Sequence, residues 1–448
     1  MSTHYNVRAY GAVGDGRTND AAAIQAAIDA CTAGGGGTVL IPAGAVYLSG
    51  SLVLKSHVEL HVERGATLKA SGDWADITQR LASGALTSGV VDPGAAQSGI
   101  FLAAYGAVDI GISGHGIIDG SGTEYVREAT EHIYRMPLER PFTVFFIGCE
   151  QISLQDTEYR DGALWTVRLT GCTDVAIQGI RIDSDMRIPN TDGIDIDHCR
   201  GVRISDCSIR CPDDAICLKA SDEFARYGAC ENVTVTNCVL ETRSSALVLG
   251  VDATAPIRNV IFSNCIITNS NRGLSLNLGQ PSVYENILFA NIVIETRYFD
   301  EAWWGSGEPI YISTLPWQEE TGTVRNIRFS NIVAHSENGV YVIGHEPGAV
   351  SGIVFDNVHV KLDKWTQFTG GRMDLRPWSG GPELVTHPTS GFYFDNADDV
   401  LIRDSEVTWG ENIPEYFGEA LVERSSRGLR LQGFRGEAAP HRSARVGS

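Results

Sequence analysis

The chain has 448 residues, 43% of them hydrophobic and 20% charged, with 49 glycines and a formal net charge of -20. That charge argues against nucleic acid and against an anionic membrane surface as partners, and no apolar run of about 18 residues is present to span a bilayer. The length exceeds what one compact core usually fills, yet no Pro/Ser linker divides the chain, so an elongated domain of stacked repeats over residues 1–435 is expected.

The opening MSTHYNVRAYGAVGDG has no charged stretch followed by an apolar run. No secretory signal is expected, and the cytoplasm is the expected compartment. GAVGDG resembles a phosphate loop only in its glycines; it lacks the Lys and the preceding strand, and reads as a turn. NDAAAIQAAIDAC, residues 19–31, reads as a short amphipathic helix capped by Asn19 or Asp20, placed to plug the open end of a solenoid.

Ten cysteines are present, and Cys172, Cys199, Cys207, Cys238 and Cys265 each sit beside a strand-like run with no CxxC pair. They read as small buried hydrophobes in the reduced state. No His cluster has zinc spacing, and no zinc site or organic cofactor is expected.

From residue 172 a repeat dominates: CTDVAIQGIRI, CRGVRISDCSI, CENVTVTNCVL, IRNVIFSNCII, YENILFANIVI, VRNIRFSNIVA and VSGIVFDNVHV. Its leading apolar residues, Val175, Val202, Val233, Val260, Ile287, Ile327 and Ile353, recur at 26 to 31 residues, stretched once to 40. A second series alternates with it: GIDID, AICLK, ALVLG, GLSLN, PIYIS, GVYVI and GFYFD. Short strands with strict alternation, joined by single Asn or Gly bends, describe the coils of a parallel β-helix, an all-β fold. Each bend Asn suits a left-handed backbone and can bond its equivalent in the next coil.

Equivalent strands of such a solenoid stack at ~4.8 Å, so residues just ahead of the second series line one face. Asp192 precedes GIDID, and Asp213 with Asp214 precedes AICLK. Three carboxylates within roughly 5 to 10 Å raise at least one pKa, leaving a protonated acid beside ionised neighbours. That set suits glycosidic hydrolysis, with structural turns or a calcium site as the alternatives.

Asn190, Thr191, Asp192 and Gly193, followed by Asp213 and Asp214, resemble the signature of glycoside hydrolase family 28, the polygalacturonases; GHGIIDGSG, residues 114–122, resembles an earlier element of that family. The likeness of pattern runs from about residue 5 to residue 360. It implies a right-handed, pectin lyase-like β-helix, a carbohydrate substrate and inverting hydrolysis. It further implies Asp213 as general acid, with Asp192 and Asp214 positioning and activating water. The sequence also departs from the family. Ser245 in SSALVLG stands where the family has His, and Ser275 and Asn277 in LSLN replace the two cations that hold a substrate carboxylate. A neutral sugar, or a uronate held differently, is therefore expected, unless Lys219 or Arg272 substitutes.

Asn190, Asn277 and Glu308 are candidates for binding sugar hydroxyls, and Trp303 and Trp304, in the insert that stretches the repeat, for stacking on sugar rings or packing their own loop. Trp165 faces the same choice. His345, which opens a loop after a groove strand, is a candidate substrate ligand or an exposed turn residue, and His115 reads as a turn residue. Long loops at 74–98, 121–141 and 364–390 could wall the groove and favour exo action. A lyase or epimerase, with the three aspartates on calcium, and a non-catalytic carbohydrate-binding coil are the rival readings. The sequence does not decide oligomeric state. The tail from 436 to 448 reads as disordered.

Overall fold

The computed structural model describes residues 4–82 and 97–441. The chain divides into two compact units, Met1–Asp213 and Asp214–Ser448. Each is a right-handed parallel β-helix. No helix among the described residues is long and apolar enough to cross a membrane.

In the first unit a coil is three strands, for example Thr173–Gln178, Arg181–Asp183 and Ile194–Asp197. Parallel pairing aligns like with like. Val144, Val167 and Ile194 stand in register on one side, and Ile152, Val175 and Val202 on another. All six are buried, because every second residue of each strand points inward and the period-two pattern puts an apolar side chain there. Each such side chain contributes about 1.5–3 kcal/mol.

The helix Ala21–Ala33 closes the first unit at its N-terminal end, burying Ile24, Ala27, Ile28 and Cys31. Gln25 adds a specific cap. Its amide receives from Val53 N–H and donates to Val53 C=O, at 2.9 and 3.0 Å, pairing both backbone groups of that residue in the strand Leu52–Leu54. The capping residues differ from expectation in a useful way. Asn19 accepts from Ala21 N–H at 3.0 Å, whereas Asp20, the N-cap, turns away and accepts from Val13 and Gly14 N–H at 2.7 and 2.9 Å. The GAVGDG turn is thus a nest of amides already filled by the chain's own carboxylate.

The second unit repeats the plan with longer strands. Phe262, Phe289, Phe329 and Phe355 stack at 4.9, 5.1 and 5.0 Å with planes within 10°. The bend asparagines behave as the repeat predicts. Asn232, Asn259, Asn286 and Asn326 all have φ near +57°, between 55° and 61°. The amides of Asn259, Asn286 and Asn326 each donate to the preceding asparagine's oxygen at 2.7–3.2 Å. A second ladder joins Asn264, Asn291, Asn331 and Asn357.

All ten cysteines are free and buried. The tail is ordered further than expected: Ala439 is buried and Glu437 C=O accepts from Trp409 Nε1 at 3.0 Å, so residues 436–441 dock onto the last coil. Residues 442–448, and most of the predicted wall at 74–98, lie outside the described residues.

Candidate active site

In the first unit the segment between Arg181–Asp183 and Ile194–Asp197 turns at Asn190, whose φ of 57° is left-handed. Asn tolerates this conformation better than most residues. The turn aims Asn190 N–H at Asp213 Oδ2, 3.0 Å away. Thr166 N–H and Val167 N–H then bond the carbonyls of Asp192 and Gly193 at 2.9 and 3.0 Å, which fixes Asp192 two residues ahead of the coming strand. Asp192 is buried and Asp213 half-buried, and they bring carboxylate oxygens within 4.8 Å of each other. Two like charges at that separation repel by roughly 3 kcal/mol at an effective dielectric near 20. Such a pair either shares a proton or needs a cation.

Sequence reasoning missed a buried cation beneath the same turn. Arg140 is 0% exposed and donates through Nη1 to Ala163 C=O at 2.9 Å and Pro189 C=O at 2.6 Å, and through Nη2 to Asn190 Oδ1 at 2.9 Å. Burial pushes its pKa down to about 9, while the charges of Asp213 and Asp192 hold it up, so it stays a cation at neutral pH. Arg140 lies in LERPF, at the start of a strand with no local pattern to mark it, and its partners are 23 to 50 residues away in sequence.

The second unit opens with Asp214, bonded covalently to Asp213. Ser244 Oγ and Ser245 N–H both donate to its Oδ1, at 2.9 and 3.2 Å. At the position where the resemblance implies an imidazole, Ser245 thus offers its backbone, and its neighbour supplies the hydroxyl. Ser245, Arg272 and Glu308 follow in register on consecutive strands.

Several candidates for substrate binding prove to be internal. Arg272 Nε donates to Glu308 Oε2 at 3.3 Å, Nη2 donates to Asp374 C=O at 3.2 Å, and the guanidinium lies 3.8 Å from the Tyr311 ring centre. Glu308 is fully buried and also accepts from Ser306 N–H at 2.7 Å. Neither residue faces solvent, and each offsets the other's charge. Asn277 is buried as well, donating to Arg376 C=O at 3.0 Å and accepting from Ser313 Oγ at 2.9 Å. Lys219 is buried with Nζ 3.4 Å from Gly250 C=O.

A hairpin within the 364–390 loop explains this closure. Arg372–Asp374 pairs antiparallel with Leu384–Thr386 and lays Met373 and Leu375 on the in-register tyrosines 311, 341 and 393. Asp374 and Arg376 pair at 2.7 Å, and Arg376 also donates to the carbonyls of Glu301 and Trp303, tying the hairpin to the insert. The D-x-R spacing of MDLRP was a legible sign of such a same-face pair.

Trp303 is buried, which resolves its role toward loop packing; Trp304 is half-buried, with its carbonyl held by Asn271 Nδ2. Trp165 is buried under Arg168, 4.7 Å away, and edge-on to Phe142. His345 is half-buried between Thr314 and Glu346. His115 is exposed in its turn.

Residues 31–360 match the model of the glycosyl hydrolases family 28. The chain belongs to that family. Among curated proteins, family resemblance includes a probable polygalacturonase of Vitis vinifera, 32% identical over 49% of this chain and 45% of that protein. The mannuronan C5-epimerase AlgE2 of Azotobacter vinelandii is 52% identical, but over 12% of this chain and 6% of that protein. The chain spans less than half the length of the first curated polygalacturonases it matches. Among solved structures, an exopolygalacturonase of Thermotoga maritima superposes with a TM-score of 0.63 at 20% identity, covering 97% of this chain and 92% of that one, which shows the shared fold.

Proposed function

We propose that this family 28 chain hydrolyses O-glycosidic bonds of a neutral-sugar oligosaccharide, with Asp192, Asp213 and Asp214 as its catalytic carboxylates. The observation that carries this reading is the close pairing of Asp192 and Asp213, with Asn190 N–H bonded to Asp213. Asp213 gives its proton to the glycosidic oxygen as the bond to the anomeric carbon breaks. Asp192 and Asp214 orient a water and take the proton it loses as it attacks that carbon. No organic cofactor enters.

The preference for a neutral sugar is supported by the state of the cations in the second unit. Arg272 is spent on Glu308 and Arg376 on Asp374, and Asn277 holds a hairpin carbonyl. A uronate carboxylate buried beside Arg272 or Arg376 would have to displace Glu308 or Asp374 from its cation, at a cost of several kcal/mol. The same hairpin, lying over the strand Glu308–Ser313, supports action on chain ends. The ten buried free thiols support work in a reducing compartment, the cytoplasm.

The test is a screen of the purified protein against aryl glycosides and plant or microbial oligosaccharides, with Asp192→Asn as blank. Release of neutral sugars by the wild type alone is expected; cleavage confined to galacturonides would overturn the neutral-sugar reading. The short epimerase match keeps one rival specific. Loss of activity with a chelator, or products with unsaturated ends or inverted C5, would replace hydrolysis by calcium-dependent chemistry on the same aspartates.

A further inference from the structure

A fully buried guanidinium is expensive unless its charge and its donors are both met. Arg140 meets its two terminal nitrogens with two carbonyls and an amide oxygen, none of them charged, while its Nε is buried without a hydrogen-bond partner. The charged groups that face it are Asp213 and Asp192. Its hydrogen bonds also fall on one short turn: Pro189 C=O and Asn190 Oδ1 are its acceptors, Asn190 N–H reaches Asp213, and Asp192 follows two residues on. Ala163 C=O anchors the guanidinium to the preceding coil, so the turn is referenced to the rigid stack and not to solvent.

We propose that Arg140 is the positioning residue of the site: its three-point clamp holds the 189–192 turn so that Asn190 and Asp192 address Asp213, and its charge offsets part of the repulsion within a carboxyl pair that shares one proton. The proposal rests on the catalytic reading of Asp192 and Asp213 for its kinetic part, though not for its electrostatic part. Arg140 touches neither substrate nor the reacting atoms. It acts through Asn190 and through the field at the two aspartates. Lys keeps the charge but, with one nitrogen, cannot serve all three acceptors in the planar fork that Arg provides.

Two variants separate these roles. Arg140→Met removes charge and clamp together. The kcat is expected to fall about 100-fold with KM little changed, as for a slightly misplaced catalytic group. Both limbs of the pH–rate profile move upward by about one unit, because a carboxylate that loses a neighbouring cation holds its proton more tightly. Carbon-13 carboxyl titration, assigned with Asp192→Asn and Asp213→Asn, reads the same shift without any substrate. Arg140→Lys is expected to keep the titrations and the pH profile of the wild type while kcat still falls at least tenfold.

Unchanged titrations in folded Arg140→Met would reduce Arg140 to a structural residue, as would wild-type kcat in Arg140→Lys. If Arg140→Met does not fold, the Lys variant alone decides by its kcat. A wild type that cleaves no glycoside, yet whose aspartates shift as described in Arg140→Met, would sink the proposed function and leave this inference standing.

Discussion

Arg272 and Glu308 stand opposite each other in register on adjacent strands, with Nε 3.3 Å from Oε2 and almost no exposed surface on either side chain. A buried pair of this kind contributes little net stability while intact, but breaking it leaves a buried charge alone. Glu308→Gln is expected to cost about 3–5 kcal/mol in denaturant unfolding, whereas the double variant Arg272→Met/Glu308→Leu recovers most of that loss. A double variant no more stable than Glu308→Gln would show that the pair does more than neutralise itself.

Asn190 carries two separable functions, its left-handed φ and its side-chain bond to Arg140. Asn190→Gly keeps the backbone conformation and loses the amide; Asn190→Ala loses both. The glycine variant should lose about 1–3 kcal/mol from the orphaned guanidinium donor, and the alanine variant about 1 kcal/mol more from backbone strain. Thermal unfolding of the two side by side checks the order.

Asp374 links acid stability to the hairpin. Burial raises its pKa, but the Arg376 hydrogen bond, the charges of Arg376 and Arg272 and Gly305 N–H together outweigh burial and hold it below the usual carboxylate range. A depressed folded-state pKa stabilises the fold above the unfolded value near 3.9, and that contribution disappears as pH falls through the folded one. Melting temperature measured from neutral pH down to about 2.5 should therefore drop below pH ~4 more steeply in the wild type than in Asp374→Asn. Parallel curves would remove Asp374 from the account of acid lability.

Asp20 fills the amide nest formed by Val13 and Gly14 and is itself buried. Asp20→Ala orphans two donors and should cost about 2–4 kcal/mol, with amide exchange at Val13 and Gly14 accelerating before that of the coil strands. Unchanged protection at both amides would mean that the turn holds without the carboxylate.

The coil was legible because its signals are local and repeated. Alternation at Val175, Val202 and Val260 names inward positions, and a left-handed bend is written into the Asn of each copy. Asp192 and Asp213 were singled out through their fixed offset from strands whose register the repeat already implied. Arg272, Asn277 and Glu308 were misjudged for the converse reason. Position in a groove series says nothing about a hairpin a hundred residues later, whose carbonyls at Asp374 and Arg376 take the donors of Arg272 and Asn277. Trp303 followed the same course, buried once the insert and hairpin were tied together.

The sequence by itself determined the stacked coil and the place of its acidic residues, since both follow from a period-two pattern and a repeat length that residues a few positions apart enforce. Only the tertiary structure decided which charges are exposed and which are spent. Arg140 beneath Asn190 and Asp213, and Glu308 against Arg272, depend on which side chains distant in sequence share a small volume of low dielectric. There a charge is tolerated only with its partners in place.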